Sequence, residues 1–342
     1  MIIMKISAIV SLFLVASGVT SHPTKPTTCK HPRIRKEWRT LTQHEKTAYF
    51  DAVLCLHSKP SILSDLVPSS LTHFEDFVAV HKLQTPYIHL CGHFLPWHRY
   101  LLWHYETTLR EVCGYKGAQP YWDYTLDRAN ASLSPVILDF GDNGPKLPVG
   151  PPVPGYPNGT GGGCVQEGPF REGKFELHVA PRQETERKDR CLSRDINNQI
   201  AWDHATHEKV AKILEQPDFG WMTKTAEGLG DYPNLGIHNM AHYIISGTSG
   251  DTFDSNAEPL FYLHHGNLDR IWWTWQQANK KKRTFDVSGK IIPWANFGGD
   301  FSHLSKGNVT LDFEMNLGRL HGPIKVKDIM HTTGDYLCYE YE

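Results

Sequence analysis

Histidines are concentrated in two short segments of this 342-residue sequence, which contains 20 of them. Four lie between His81 and His98, and four more lie between His238 and His265. Both segments also carry the apolar spacing of helices that pack in a core. Because a buried imidazole without a partner is costly, the chain must fold so that these side chains are hydrogen-bonded or bind a metal.

The first cluster leads into a helix that is predicted from about Pro96 to Cys113 and ended by Gly114. We place His98 in the first turn of this helix, on the face that points into the core. A ligand role would satisfy its imidazole there. Taken alone, the irregular spacing of this cluster favours the alternative, which is four histidines on a solvated loop.

The second cluster is the sharper signal, because His238 and His242 are four residues apart and share one face of a predicted helix. No Glu follows the first histidine, so neither metalloprotease pattern fits. An isolated pair of this kind is more often structural or coincidental, but here one of the adjacent His264 and His265 can complete a three-histidine site. Ligation by nitrogen alone suits copper or zinc. Two such sites with open positions favour activation of a small molecule over a closed structural site.

Helical patterns dominate the rest of the chain. Further helices are predicted over residues 42–56, 72–80, 194–214, 235–245 and 259–278. In residues 141–170, Pro and Gly make up 16 of the 30 positions, which predicts a long surface loop tied down through Cys164. A linker between two domains is the alternative, but we favour one domain because histidine clusters lie on both sides. After Phe285 we expect short strands and loops.

The N-terminal residues 1–21 are predicted to be a secretory signal peptide. Lys5 precedes an apolar run that is too short to cross a bilayer, and Val19 and Ser21 fit a cleavage site. A membrane anchor is the alternative. We therefore expect residues 22–342 to form one secreted, extracellular domain. The formal net charge of -2 gives no indication of a nucleic-acid or membrane partner.

Glycosylation triplets and cysteines agree with secretion. The acceptor triplets begin at Asn130, Asn158 and Asn308. Seven cysteines suggest three disulfides and one odd thiol in an oxidising compartment. Spacing does not fix their connectivity. The pairing that we predict is Cys29 with Cys338, Cys55 with Cys113, and Cys164 with Cys191, with Cys91 left over.

Two long motifs resemble the signatures of a known family. Phe94-Leu-Pro-Trp-His98-Arg99 is similar to the copper-A signature, and Glu258-Pro-Leu-Phe-Tyr-Leu-His264-His265 to the copper-B signature, of the tyrosinase family of type-3 copper proteins. This family includes tyrosinases, catechol oxidases and molluscan-type haemocyanins, and the likeness is closest to short secreted fungal polyphenol oxidases. The resemblance implies a mainly α fold in which a four-helix bundle core holds a di-copper site, with long loops and a few short strands.

The resemblance also implies a ligand set for two copper ions that activate O2. His81, His89 and His98 would hold one ion, with His57 as the alternative to His81. His238, His242 and His265 would hold the other, because the family uses the second histidine of the adjacent pair.

Two further residues resemble the family's site. Glu227 and Asn239 occupy positions where relatives hold a water that helps to deprotonate a phenol. An exposed loop carboxylate is the alternative for Glu227. The family motif usually has Asp where this chain has Glu258. A thioether between Cys and His89 is not predicted, because no Cys precedes His89 at the expected spacing.

Scaffold features follow from the same likeness. Arg99 and Asp269 are expected to pair across the two copper-binding halves, and Tyr339-Glu340-Tyr341 resembles the motif that closes the catalytic core. The sequence ends one residue later, so we expect no C-terminal shielding domain and no proteolytic activation beyond signal removal.

The predicted activity is oxidation of o-diphenols to o-quinones, with a small phenolic substrate and O2 as partners. Monophenol hydroxylation and o-aminophenol oxidation are alternatives, and the bulky Tyr243 favours diphenol oxidation. A haemocyanin-like oxygen carrier and a zinc hydrolase that uses one cluster are more distant alternatives. The sequence does not predict an oligomeric state.

Overall fold

The computed structural model describes residues 29–148, 155–156, 158–228, 234–334 and 336–342; the predicted signal peptide over residues 1–21 lies outside them. The described helices are α1 Gln43–Ser58, α2 His73–Ile88, α3 Phe94–Cys113, α4 Pro135–Asp139, α5 Asn198–His204, α6 His207–Leu214, α7 Phe219–Glu227, α8 Ile237–Ile245, α9 Leu260–Ala278 and α10 Lys280–Arg283. The described strands are β1 Arg33–Arg35, β2 Glu176–Val179, β3 Arg187–Cys191, β4 Glu314–Met315, β5 Ile324–Lys325 and β6 Tyr339–Tyr341.

A bundle of α2, α3, α8 and α9 forms the centre of the molecule. Helix α3 packs along α9, α8 also packs against α9, and α2 lies beside α3 with α1 covering both. Fourteen of the 19 residues of α9 are buried, as expected for a helix that is surrounded by other elements. The mainly α fold with a helical-bundle core is confirmed.

Local sequence signals explain where the first two helices start. Thr42 and Thr72 each form a capping box with the Glu three residues later, which satisfies free N–H groups of the first turn. The prediction that the second helix covers residues 72–80 was too short, because α2 continues to Ile88 and includes Pro86. Burial of this last part of α2 in the core outweighs the helix-breaking tendency of the proline. As a result, His81 lies on a helix.

The predicted helix over residues 194–214 is two helices. The chain leaves the helical conformation at Ala205, and the Thr206 side chain accepts a hydrogen bond from the Lys209 N–H to start α6. Thr is a strong N-cap, so this restart follows from the sequence. Within residues 141–170, the described positions contain no helix or strand, as predicted.

Short paired strands and disulfides connect segments of the chain around the bundle. The described strands form three two-stranded sheets, in which β1 pairs with β6 in parallel, β2 with β3, and β4 with β5. The short strands after Phe285 were predicted, whereas β1 and the β2–β3 pair were not. All three predicted disulfides are present, and Cys91 is free and buried. Among the helices in the described ranges, none combines the length and apolar character needed to cross a membrane.

Candidate metal centre

Three histidines of the first cluster converge from two helices and the turn between them. His81 lies on α2, His89 directly follows α2, and His98 lies one turn into α3. All three are buried, and one nitrogen from each lies within 4.8 Å of the others. The loop alternative for these residues is therefore wrong. His57, the alternative to His81, is elsewhere: its ring stacks on Phe175 and its Nε2 lies 2.7 Å from the Glu176 carbonyl oxygen.

Backbone carbonyls orient each imidazole of this cluster. The Nδ1 atom of His89 lies 3.0 Å from the Thr85 carbonyl oxygen, and that of His98 lies 2.9 Å from the Phe94 carbonyl oxygen. His81 Nδ1 faces the Phe253 carbonyl oxygen at 3.3 Å. A carbonyl only accepts hydrogen bonds, so Nδ1 carries the proton and Nε2 keeps its lone pair.

The lone pairs point into the protein interior without a partner. The Nε2 atoms of His81 and His98 are buried and have no hydrogen bond within the described residues. Burial lowers the pKa of His89 to about 4 and keeps the pKa of His81 and His98 well below the usual range, with neighbouring histidines adding to the effect for these two. The imidazoles are therefore neutral, which is the form that binds a metal ion.

The second cluster is built from α8 and the start of α9. His238 and His242 are one turn apart on α8, with 3.2 Å between their Nε2 atoms, so both face one point. His264 and His265 complete the group, and one nitrogen from each of the four lies within 4.8 Å of the others. Burial lowers the pKa of His242 to about 3, and its Nδ1 lies 3.3 Å from the Ser249 hydroxyl oxygen.

The adjacent histidines of α9 occupy different sides of this cluster. The His265 ring stacks on His98 of the first cluster with 4.6 Å between centroids. The His264 ring lies 4.7 Å from that of His242 and 6.0 Å from that of Tyr124, away from the first cluster. Both rings are buried, and neither has a hydrogen bond within the described residues. His265 is thus the member that lies between the two clusters.

The two clusters face each other across one interior space. Besides the His98–His265 stack, the His89 and His238 rings are nearly parallel with 5.7 Å between centroids. Phe261 forms an apolar wall whose ring lies 4.1 Å from that of His265 and 5.4 Å from that of His81. Seven neutral nitrogen donors in one buried space fit copper, because imidazole suits this metal and no thiolate or carboxylate belongs to either group.

A narrow mouth opens onto this space. Its volume is about 20 Å³, and it is bordered by His89, His238, Asn239, His242, Tyr243, Ser249, Gly250, Thr252 and Ser255. Asn239 and Tyr243, singled out from the sequence, therefore both lie at the entrance. His93, the remaining histidine of the first cluster, does not border the mouth and is buried against Phe313.

Glu227 is the last residue of α7 and is fully buried, so the exposed-loop alternative is wrong. One carboxylate oxygen accepts a 2.6 Å hydrogen bond from the N–H of Leu90, the residue after His89. The other oxygen is buried and has no hydrogen bond within the described residues. Burial raises the pKa of this carboxyl well above its usual range. Leu90 has a φ of 54°, which is unusual for a bulky residue, and this hydrogen bond helps to hold it.

A buried charge network ties α3 to α9, one helix from each histidine cluster. Arg99 on α3 donates to Asp269 on α9 over 2.5 Å, which confirms the predicted pair. The hydroxyls of Tyr339 and Tyr341 also donate to Asp269, at 2.6 and 2.5 Å. Arg35 completes the network and was not predicted, because a lone Arg in a short strand gives no sign of burial.

Glu258 fills the position where the family motif usually has Asp. Its carboxylate pairs with Arg194 through two contacts of 2.9 Å and accepts a hydrogen bond from the N–H of Leu260 at the start of α9. The Glu258 side chain therefore satisfies one free N–H group at the start of the helix that carries His264 and His265.

The chain is similar to known proteins over nearly its whole length. Residues 71–278 match the common central domain of tyrosinase. A tyrosinase-like protein of Diaporthe leptostromiformis is 35% identical, over 98% of this chain and 84% of its own length. Tyrosinase P of Aspergillus terreus is 33% identical, over 92% of this chain and 93% of that protein. Among solved structures, a variant of a polyphenol oxidase from Thermothelomyces thermophila has a TM-score of 0.80 at 31% identity, covering 91% of this chain and 89% of that one.

The fold, the facing histidine clusters and these similarities agree. The chain belongs to the tyrosinase family. It is accordingly a copper-binding oxidoreductase.

Proposed function

We propose that this protein oxidises o-diphenols to o-quinones and reduces O2 to water at a pair of copper ions. The observation that carries this proposal is the two facing sets of neutral, buried imidazoles, of which His81 and His98 have Nε2 atoms without a partner among the described residues. Such a donor set fits two adjacent ions better than a single ion. Helices α2 and α3, with the turn between them, supply the imidazoles of one cluster, and α8 and α9 supply those of the other.

The proposed ligands are three histidines for each ion. They are His81, His89 and His98 on one side, and His238, His242 and His265 on the other. His265 is preferred to His264 because its ring lies against His98 and so borders the shared space. When bound, the copper ions would supply the electron transfer between phenol and O2.

Residues beside the metal centre would prepare the substrate. A phenol has a pKa of about 10, so its loss of a proton at neutral pH requires an acceptor. The proposed acceptor is Glu227, acting with Asn239 through a water. This role is supported by the second oxygen of the Glu227 carboxylate, which is buried and has no hydrogen bond within the described residues. Tyr243 narrows the mouth and favours diphenols over monophenols.

We also propose that the protein is secreted. Secretion is supported by the three disulfides and by the signal pattern of residues 1–21. The acceptor residues Asn130, Asn158 and Asn308 are all exposed, as glycosylation requires.

Oxygen uptake tests the proposed reaction. Copper-loaded protein is supplied in parallel with 4-methylcatechol, a monophenol and an o-aminophenol in excess. We expect sustained O2 consumption, fastest with 4-methylcatechol. Uptake that stops after one equivalent of O2 would indicate an oxygen carrier, and a faster rate with the monophenol or the aminophenol would reassign the substrate.

A further inference from the structure

A large open groove lies beside the mouth of the metal centre. It has a volume of about 1260 Å³ and is bordered by the β2–β3 hairpin and by the segment from Ser246 to Asp254. Gly250 and Thr252 border both the groove and the mouth, so the two spaces meet along this segment. A catechol held at the mouth can therefore extend the rest of its molecule into the groove.

The groove contains acidic side chains, but each is already engaged. Asp251 accepts hydrogen bonds from the backbone N–H groups of Arg182 and Phe253, at 2.7 and 2.9 Å. Asp254 pairs with Arg190. Asp195 accepts from the Gly161 N–H at 2.9 Å, and Glu184 lies 3.9 Å from the Lys188 ammonium group. The cationic groups of Arg190 and Lys188 are therefore paired as well.

Arg182 is the exception among the described residues of this groove. Its guanidinium has no ion pair or hydrogen bond to any of the described residues, and the residue is exposed. Its backbone φ is 56°, a left-handed conformation that is uncommon for Arg and that the Asp251 side chain helps to hold. Backbone strain of this kind often occurs at binding sites, where it aims a side chain.

From these observations we infer that the natural substrate is an elongated catechol with a carboxylate at its far end, which Arg182 binds. This rests on the proposed function and names its substrate class. A guanidinium binds a carboxylate through two parallel hydrogen bonds, which a neutral group cannot replace. The catechol ring would lie against the mouth, and its linker would cross Gly250 and Thr252 to reach Arg182.

A series of 3,4-dihydroxyphenyl alkanoic acids of increasing chain length, each compared with its methyl ester, tests this. We expect kcat/KM to favour the acid over the ester increasingly with length, reaching about tenfold, the effect of one good charged contact. Arg182→Asn should abolish the preference without changing turnover of 4-methylcatechol. Asn is chosen because it adopts the left-handed backbone readily. Arg187→Asn is the matched control, since Arg187 is on the same hairpin but pairs with Asp189.

Equal rates for acids and esters at every length, or an unchanged preference in Arg182→Asn, would overturn the inference while leaving the proposed function intact. If no catechol is oxidised, the proposed function fails, and binding still decides whether Arg182 holds a carboxylate. Calorimetry with phenylalkanoates, which cannot be oxidised at the ring hydroxyls, should then show about tenfold tighter binding to the wild type than to Arg182→Asn. Equal affinities would overturn it.

Discussion

Replacing Glu227 by Gln separates the two roles of this side chain. Its carboxylate accepts a 2.6 Å hydrogen bond from the Leu90 N–H, and its second oxygen is buried without a hydrogen bond in the described part of the chain. Gln retains an oxygen that can accept from Leu90 but cannot take up a substrate proton. Because general-base assistance contributes about 10²–10⁴-fold, we expect kcat/KM for 4-methylcatechol to fall by about a hundredfold or more.

Glu227→Ala provides the contrast. This substitution also removes the acceptor for the Leu90 N–H. Because Leu90 is only 5% exposed, its N–H would be left buried without a partner, which costs about 1–3 kcal/mol. Urea unfolding should therefore show lower stability for Glu227→Ala than for Glu227→Gln. Copper content is measured for each variant, and O2 uptake is expressed per copper. If Glu227→Gln retains its copper and oxidises 4-methylcatechol at the wild-type rate, the role in proton transfer is refuted.

Three further substitutions test the scaffold and the ligand assignment. Asp269→Asn should lower the free energy of unfolding by about 3–5 kcal/mol, because it leaves the buried Arg99 guanidinium without its counter-charge and leaves Arg35 with Glu106 alone. Chemical denaturation of the metal-free protein measures this, and a loss below about 1 kcal/mol would contradict it. Ser249→Ala removes the hydroxyl that faces Nδ1 of His242, so a competing chelator should remove copper about 10–100-fold more readily. If the variant retains copper as well as the wild type does, the hydroxyl is dispensable. His265→Ala should lose one copper ion per chain and His264→Ala should lose none, and metal analysis showing the reverse would exchange the two assignments.

The fold was largely predictable because its main signals are local. Capping boxes at Thr42 and Thr72, apolar periodicity, and the glycine after Cys113 each act within a few residues. The length of α2 was not predictable in this way. Pro86 argues locally against a helix there, and only the burial of that part of α2 in the assembled core explains its continuation.

The candidate site was predictable in its residues but not in its supports. Helical spacing identifies His238 and His242, and the two motifs identify His98 and the His264–His265 pair. The groups that orient the rings are distant in sequence: the Phe253 carbonyl faces His81 across 172 positions. Every residue has a backbone carbonyl, so the sequence does not show which one will face His81. That contact depends on the fold. The burial of Glu227 likewise appears only when α7 packs onto the turn at Leu90.

The copper stoichiometry of the purified chain tests the central claim most directly. Metal-free protein is titrated with copper, and bound metal is measured after removal of the excess. We expect saturation at two ions per chain, reduced to one in His98→Ala and likewise in His238→Ala. Saturation of the wild type at a single ion, or a site that takes zinc in preference to copper, would contradict the paired copper centre.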